Sequence, residues 1–359
     1  MKKQLIRVFG LFALLLSGVS FSGGEHQIFE LGEFQLESGE ILPSAFLSYV
    51  THGNLNEEKD NLVLVPSAYL GDHHGFDFLI QADKALSPEK YFIVAADMFQ
   101  NGYSSSPSNT PPPFDGPNFP TIEIRDNITA QHRLLTEQFG VSDAAAVVGF
   151  SMGAQQAFQW AVSYPDFMKK TVGICGSAIE HPHGVVRLEG FKSAIMADAA
   201  YMDGFYTIPP IIGLEAAGTH WAAWGTSQEW FRLGLYQEMG LETPSDFIEW
   251  WQNFVKTWDA NDLIALANTW QKNDIGKTPR FNGGSEAALS SIKSKVLYMP
   301  CETDQYFHID ALRWEAERIP NSNFVVIPSL WGHMAGGGSS GVDVNFINDR
   351  VAVFLNSGN

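Results

Sequence analysis

The sequence predicts an α/β protein: a mostly parallel central sheet flanked by helices, with an all-helical insertion between two of its strands. Three observations predict it. Short apolar runs bounded by turn signals recur along the 359 residues, and several lack period-two alternation, as strands buried on both faces do. Helical patterns lie between some of these runs, which is the rhythm of βαβ units. From 178 to 290 that rhythm stops, and seven of the ten tryptophans fall there.

Composition supports a large buried core and excludes several classes of function. Hydrophobic residues make up 45% and charged residues 17%, too apolar for a disordered chain. The 22 basic residues against 40 acidic ones leave a net charge of −18. Nucleic-acid binding needs clustered Lys and Arg, so no nucleic-acid partner is expected.

Taken in order, the chain opens with MKKQLIRVFGLFALLLSGVSFSGG. Lys2, Lys3 and Arg7 precede an apolar run and then small residues, the pattern of a secretory signal peptide over residues 1–22. The run falls short of the about 20 apolar residues that span a bilayer, so no stable membrane anchor is expected. Cleavage would remove three positive charges and no negative one, turning −18 into −21. Export to the periplasm or the medium follows as the expected localisation.

A first core part is expected over 23–177. Segments 28–36 and 45–50 flank a Ser-Gly turn and read as an antiparallel hairpin. Strands follow at 61–67, 91–98, 144–150 and 171–177, with helices over 124–139 and 153–164. The stretch SSSPSNTPPPFDGPNFP is a long loop. The insertion spans 178–290, where SQEWFRLGLYQEMG and DFIEWWQNFVKTW have helical spacing. Its tryptophans serve a small helical core, an aromatic substrate pocket, or both. Core elements resume over 291–359, with strands at 296–300 and 324–328.

The chemistry lies in Gly149-Phe150-Ser151-Met152-Gly153, between a strand and a helix. A nucleophile elbow sets its serine on a strained strand-to-helix turn where only small neighbours fit, so Ser151 is the expected nucleophile. A serine needs a base, and the base needs an orienting acid, in the chain order serine, acid, histidine. Asp304 follows the strand KVLYMP, and His333 follows the strand FVVIPS on a glycine-containing loop. Glu302 is the rival acid. The Met152 amide and the Tyr69 amide, on the loop after strand 61–67, are the expected oxyanion donors.

The remaining histidines fit less well. His52, His132, His181 and His183 lie in turns, a helix and a loop, and His220 lies in the insertion with a polar or core role, pocket lining being the alternative. His73 and His74 read as loop surface, with substrate contact as the alternative. Cys175 and Cys301 read as buried small hydrophobes, although export permits a disulfide. No metal motif, phosphate loop or dinucleotide fingerprint occurs, and no cofactor is expected. The stretch GGGSSG after His333 reads as a flexible loop.

As a set, THGNLN, SAYLGD, FPTIEIRDNITAQHRLL, GFSMGAQQAFQWAVSYPD, DANDLIALANTWQKNDIG, ETDQYF and WGHMAGG resemble the homoserine O-acetyltransferase-like family of the α/β-hydrolase superfamily. The resemblance covers most of the chain after the leader. It implies an α/β-hydrolase fold, Ser151, Asp304 and His333 as a catalytic triad, and a homodimer formed through the cap. The segment QNGYSSSPSNTPPPFDGP departs from the Gly- and Thr-rich stretch of true homoserine acetyltransferases, so homoserine is not implied as substrate. The expected function is an exported serine hydrolase of a small or medium ester. The alternative is acyl transfer from an acyl-thioester such as acetyl-CoA to a small alcohol. Both use one acyl-enzyme and differ in whether water or an alcohol attacks second.

Overall fold

The computed structural model describes residues 26–358, and the expected leader lies outside the described residues. Eight strands form one sheet: β1 (Gln27–Gln35), β2 (Ile41–His52), β3 (Leu62–Pro66), β4 (Phe92–Ala96), β5 (Ala144–Phe150), β6 (Met168–Ile174), β7 (Lys295–Met299) and β8 (Ser322–Phe324). Their order is β1-β2-β4-β3-β5-β6-β7-β8. The opening hairpin is antiparallel and β2 joins β4 antiparallel; every later pairing is parallel. Every residue of β3 and β4 is buried, which explains why those runs show no alternation.

Ten α-helices accompany the sheet among the described residues: α1 (Ile124–Arg133), α2 (Met152–Ser163), α3 (Pro182–Met196), α4 (Ile211–Ala222), α5 (Gln228–Arg232), α6 (Pro244–Val255), α7 (Ala260–Gln271), α8 (Ser285–Ser290), α9 (Ile309–Ala316) and α10 (Gly341–Asn356). The six from α3 to α8 lie between β6 and β7. They start where their sequences cap them: Thr243 and Asp246 form a capping box on α6, and Asp259 accepts from the amides of Asn261 and Asp262 on α7. Trp230, Phe247 and Trp251 are buried among these helices, and Trp230 lies 4.8 Å from Phe247.

Two expectations need correcting. The helix over 124–139 is α-helical only to Arg133 and continues as a wider π turn, Leu134–Gln138. Thr136 donates its hydroxyl to the His132 carbonyl at 2.8 Å, the back-bonding that opens a helical turn. The last strand is Ser322–Phe324 rather than 324–328. Beyond it the run keeps only spaced bonds, such as Ile327 N–H to the Pro300 carbonyl at 2.8 Å, because Pro300 and Pro328 offer no N–H to a ladder.

Because β3, β5, β6, β7 and β8 run the same way, the loops beyond their carboxyl ends gather on one edge of the sheet, under the helical insertion. That edge is where open α/β sheets place their ligands.

Candidate active site

Ser151 stands between β5 and α2 with φ 54° and ψ −124°. A non-glycine residue there stores about 1–3 kcal/mol of strain and persists only if its surroundings hold it. They do: Ser151 N–H donates to the Ile174 carbonyl at 2.9 Å, and its own carbonyl accepts from Ala154 N–H at 2.9 Å. The turn also needs its two glycines. A Cβ on Gly149 would lie 2.1 Å from the Gly153 carbonyl oxygen, and one on Gly153 would lie 2.7 Å from that of Pro66. Both obstacles are backbone and cannot swing aside.

Asp304 and His333 reach this turn from beyond β7 and β8. His333 Nε2 lies 2.9 Å from Ser151 Oγ, and Nδ1 lies 2.8 Å from Asp304 Oδ2. The other oxygen of Asp304 accepts from the amides of Tyr306 and Phe307 at 2.7 and 3.3 Å. A carboxylate only accepts, so the proton sits on Nδ1 and Nε2 presents a lone pair to the serine hydroxyl. Thr303 joins the two loops, donating to the Ser329 carbonyl at 2.7 Å and accepting from Gly332 N–H at 3.2 Å. The imidazole stacks on Tyr306 with centroids 4.2 Å apart. Glu302 is exposed and stands outside this relay.

Met152 N–H opens α2, and Tyr69 N–H follows β3 on the facing loop. Neither amide donates a hydrogen bond to another described residue. Their loop is held from three sides. Gln156 donates to the Ser67 carbonyl at 2.9 Å, Tyr69 donates its hydroxyl to the Leu263 carbonyl at 3.0 Å, and His73 Nδ1 meets Asp97 Oδ2 at 2.6 Å.

With this geometry in view, the relatives are informative. A family model of the alpha/beta hydrolase fold matches residues 61–220. Ethyl acetate hydrolase of Pseudomonas veronii is 37% identical over 339 residues, covering 93% of this chain and 96% of that protein. Homoserine O-acetyltransferase of Symbiobacterium thermophilum is 30% identical, covering 84% and 87%. The solved structure of an acetylester hydrolase from Corynebacterium glutamicum superposes with a TM-score of 0.90 at 32% identity, covering 92% and 96%. The chain belongs to the homoserine O-acetyltransferase-like family of the α/β-hydrolase superfamily.

Within this α/β-hydrolase, His73 corrects the surface reading: only 5% of it is exposed, with Asp97, His26 and Tyr103 against it. His74 is exposed and pairs with Asp77 at 2.9 Å. His132 stacks on Tyr164 at 4.0 Å, His181 meets Glu315 at 3.2 Å, and His220 donates to the Arg187 carbonyl at 3.1 Å. None of these reaches Ser151. Cys175 and Cys301 are buried free thiols; burial pushes the Cys301 thiol up to about 12, so neither is a ready nucleophile. The stretch GGGSSG, residues 336–341, is not a flexible loop: Gly336 and Gly337 close a 3-10 turn against Phe150, where a Cβ on Gly336 would meet the ring at 2.8 Å, and Gly341 opens α10 behind its N-cap Ser340. No metal-ligating cluster occurs among the described residues, and no described helix is long and apolar enough to cross a membrane.

Two residues missed in the sequence border the relay. Tyr306, two positions after Asp304, carries the stacking face for His333. Arg187, on α3, places its guanidinium 4.1 Å from the centroid of the Tyr306 ring. Nearby Glu180 accepts from Trp270 Nε1 at 2.6 Å and Gln155 Nε2 at 3.0 Å. Burial pushes its carboxyl up to about 7, against the pull of Arg187 and these bonds. The available signals were a single arginine in the apolar stretch VVRLEGF and an aromatic pair directly behind the candidate acid.

Proposed function

We propose that this α/β-hydrolase is an exported serine esterase acting on small or medium esters. The carrying observation is the continuous hydrogen-bonded path Asp304, His333, Ser151, with distances of 2.8 and 2.9 Å. In this reading His333 takes the hydroxyl proton as Ser151 Oγ attacks the ester carbonyl. The amides of Met152 and Tyr69 receive the developing oxyanion. His333 then protonates the departing alcohol oxygen, leaving an acyl-enzyme, and the same base activates water to release the acid. Asp304 holds the tautomer and balances the transient imidazolium. Export rests on the leader pattern of residues 1–22.

The ethyl acetate hydrolase relative supports hydrolysis as the outcome. Acyl transfer from a thioester is the second reading, favoured by the homoserine O-acetyltransferase relative over 84% of the chain. Purified protein is tested with p-nitrophenyl acetate and ethyl acetate, and with acetyl-CoA in the presence and absence of small alcohols. Ester turnover lost in Ser151→Ala supports the esterase. CoA release that requires an added alcohol transfers the assignment to acyl transfer, and turnover unchanged in Ser151→Ala overturns both.

A further inference from the structure

Arg187, on α3 of the helical insertion, is a sealed cation. Only 2% of it is exposed, and Nε, Nη1 and Nη2 have no hydrogen-bond partner among the described residues. Three rings surround the guanidinium, with centroids at 4.1 Å for Tyr306, 4.8 Å for Trp270 and 5.2 Å for Trp221. Glu180 lies close by, but its hydrogen bonds are to Trp270 and Gln155, and no ion pair joins it to Arg187 among the described residues. Rings satisfy a guanidinium through its flat faces and leave its N–H groups unsatisfied. Burying such donors without acceptors is costly, and an orphaned set in a folded protein points to a missing partner.

The same rings border the reactive centre. Tyr306 stacks on His333 at 4.2 Å, while Trp221 and Trp270 lie 5.8 and 5.3 Å from the ring of Tyr69, on the loop whose Pro66 and Ser67 carbonyls lie against Gly153 of the elbow. The unfilled donors therefore belong to the wall of the substrate site rather than to a remote structural corner. A planar fork of N–H groups matches a carboxylate edge-on with two parallel bonds. One cation balances one negative charge; a phosphate dianion would leave excess charge buried.

We propose that Arg187 forms an anion subsite of the active site, so that preferred substrates are short esters bearing a carboxylate on their acyl or alcohol side. The inference rests on the serine-esterase reading and goes beyond it, because a plain alkyl acetate needs no buried cation. It also assigns a use to a local positive charge in a protein whose net charge is −18, which at long range disfavours anions.

The test compares 3-acetoxypropanoate (carboxylate on the alcohol side) and mono-p-nitrophenyl succinate (carboxylate on the acyl side), each with its methyl-ester twin. In the wild type at least one acid is expected to exceed its twin in kcat/KM. In Arg187→Met that acid-to-twin ratio falls by about ten- to hundredfold, the scale of hydrogen bonds to a charged group. Arg187→Lys keeps the charge but loses the fork, and gives an intermediate ratio. Binding is read separately in Ser151→Ala, whose melting temperature rises with the preferred acid and not with its twin; adding Arg187→Met removes the rise. Neither acid preferred by the wild type, or a ratio unchanged in folded Arg187→Met, overturns the subsite. Ester turnover surviving in Ser151→Ala overturns the underlying esterase reading instead.

Discussion

His333 bridges Asp304 and Ser151 through its two ring nitrogens, 2.8 Å from one and 2.9 Å from the other, across sequence separations of 29 and 182 residues. The two contacts act as one unit. Ser151→Ala and His333→Ala are each expected to lower kcat on p-nitrophenyl acetate by roughly a thousandfold or more, and the double variant to be no worse than either alone. Additive losses in steady-state kinetics would show that the two residues act independently.

Asp304→Asn tests the tautomer. The Asn oxygen can still accept from Tyr306 N–H, which leaves the amide NH2 facing His333 Nδ1. That nitrogen must then accept, placing the proton on Nε2 and blocking the base. The expected result is a kcat lower by about 10³–10⁴, with KM within a few-fold. Retained kcat with a raised KM would assign Asp304 to binding.

Tyr69 links the loop after β3 to the helical insertion through the 3.0 Å bond from its hydroxyl to the Leu263 carbonyl on α7. Tyr69→Phe removes that bond and little else. Denaturant melts should show a loss of about 1 kcal/mol, accompanied by a several-fold drop in kcat as the Tyr69 amide loses its anchor. A stability loss with unchanged kcat would show that the loop holds its amide without the insertion.

Asp262, in the first turn of α7, accepts from the Ser108 amide at 3.0 Å and the Ser108 hydroxyl at 2.6 Å. Burial, and then the nearby charge of Asp259, push its carboxyl up to about 7, against the two Ser108 bonds. The sign follows from linkage. The folded form holds the proton more tightly than the unfolded chain, so the contribution is complete below about pH 4 and is lost as pH rises through about 7. The wild type should therefore lose more stability between pH 5 and pH 8 than Asp262→Asn, by up to about 3 kcal/mol. Equal pH slopes in thermal melts would mean that Asp262 ionises normally.

By itself, the sequence determined what is local or follows from chain order. Gly149 and Gly153 announce the elbow because no Cβ fits that turn, and His333 and Asp304 are legible because loops after parallel strands must gather on one sheet edge. The sequence also preferred Asp304 to Glu302 by its distance past the strand; the fold supplies the contact behind that choice, with Asp304 turned inward to His333 and Glu302 left exposed. His73 reads as loop surface until Asp97, His26 and Tyr103 close around it, and burial is a property of those distant partners. Arg187 is the sharper case. Its position in an apolar stretch is visible, but the enclosure by Tyr306, Trp270 and Trp221 is made by segments that meet only when the insertion folds over the sheet. Secondary structure and backbone strain are written in neighbouring residues; the electrostatic character of a site depends on what tertiary packing excludes from it, water above all.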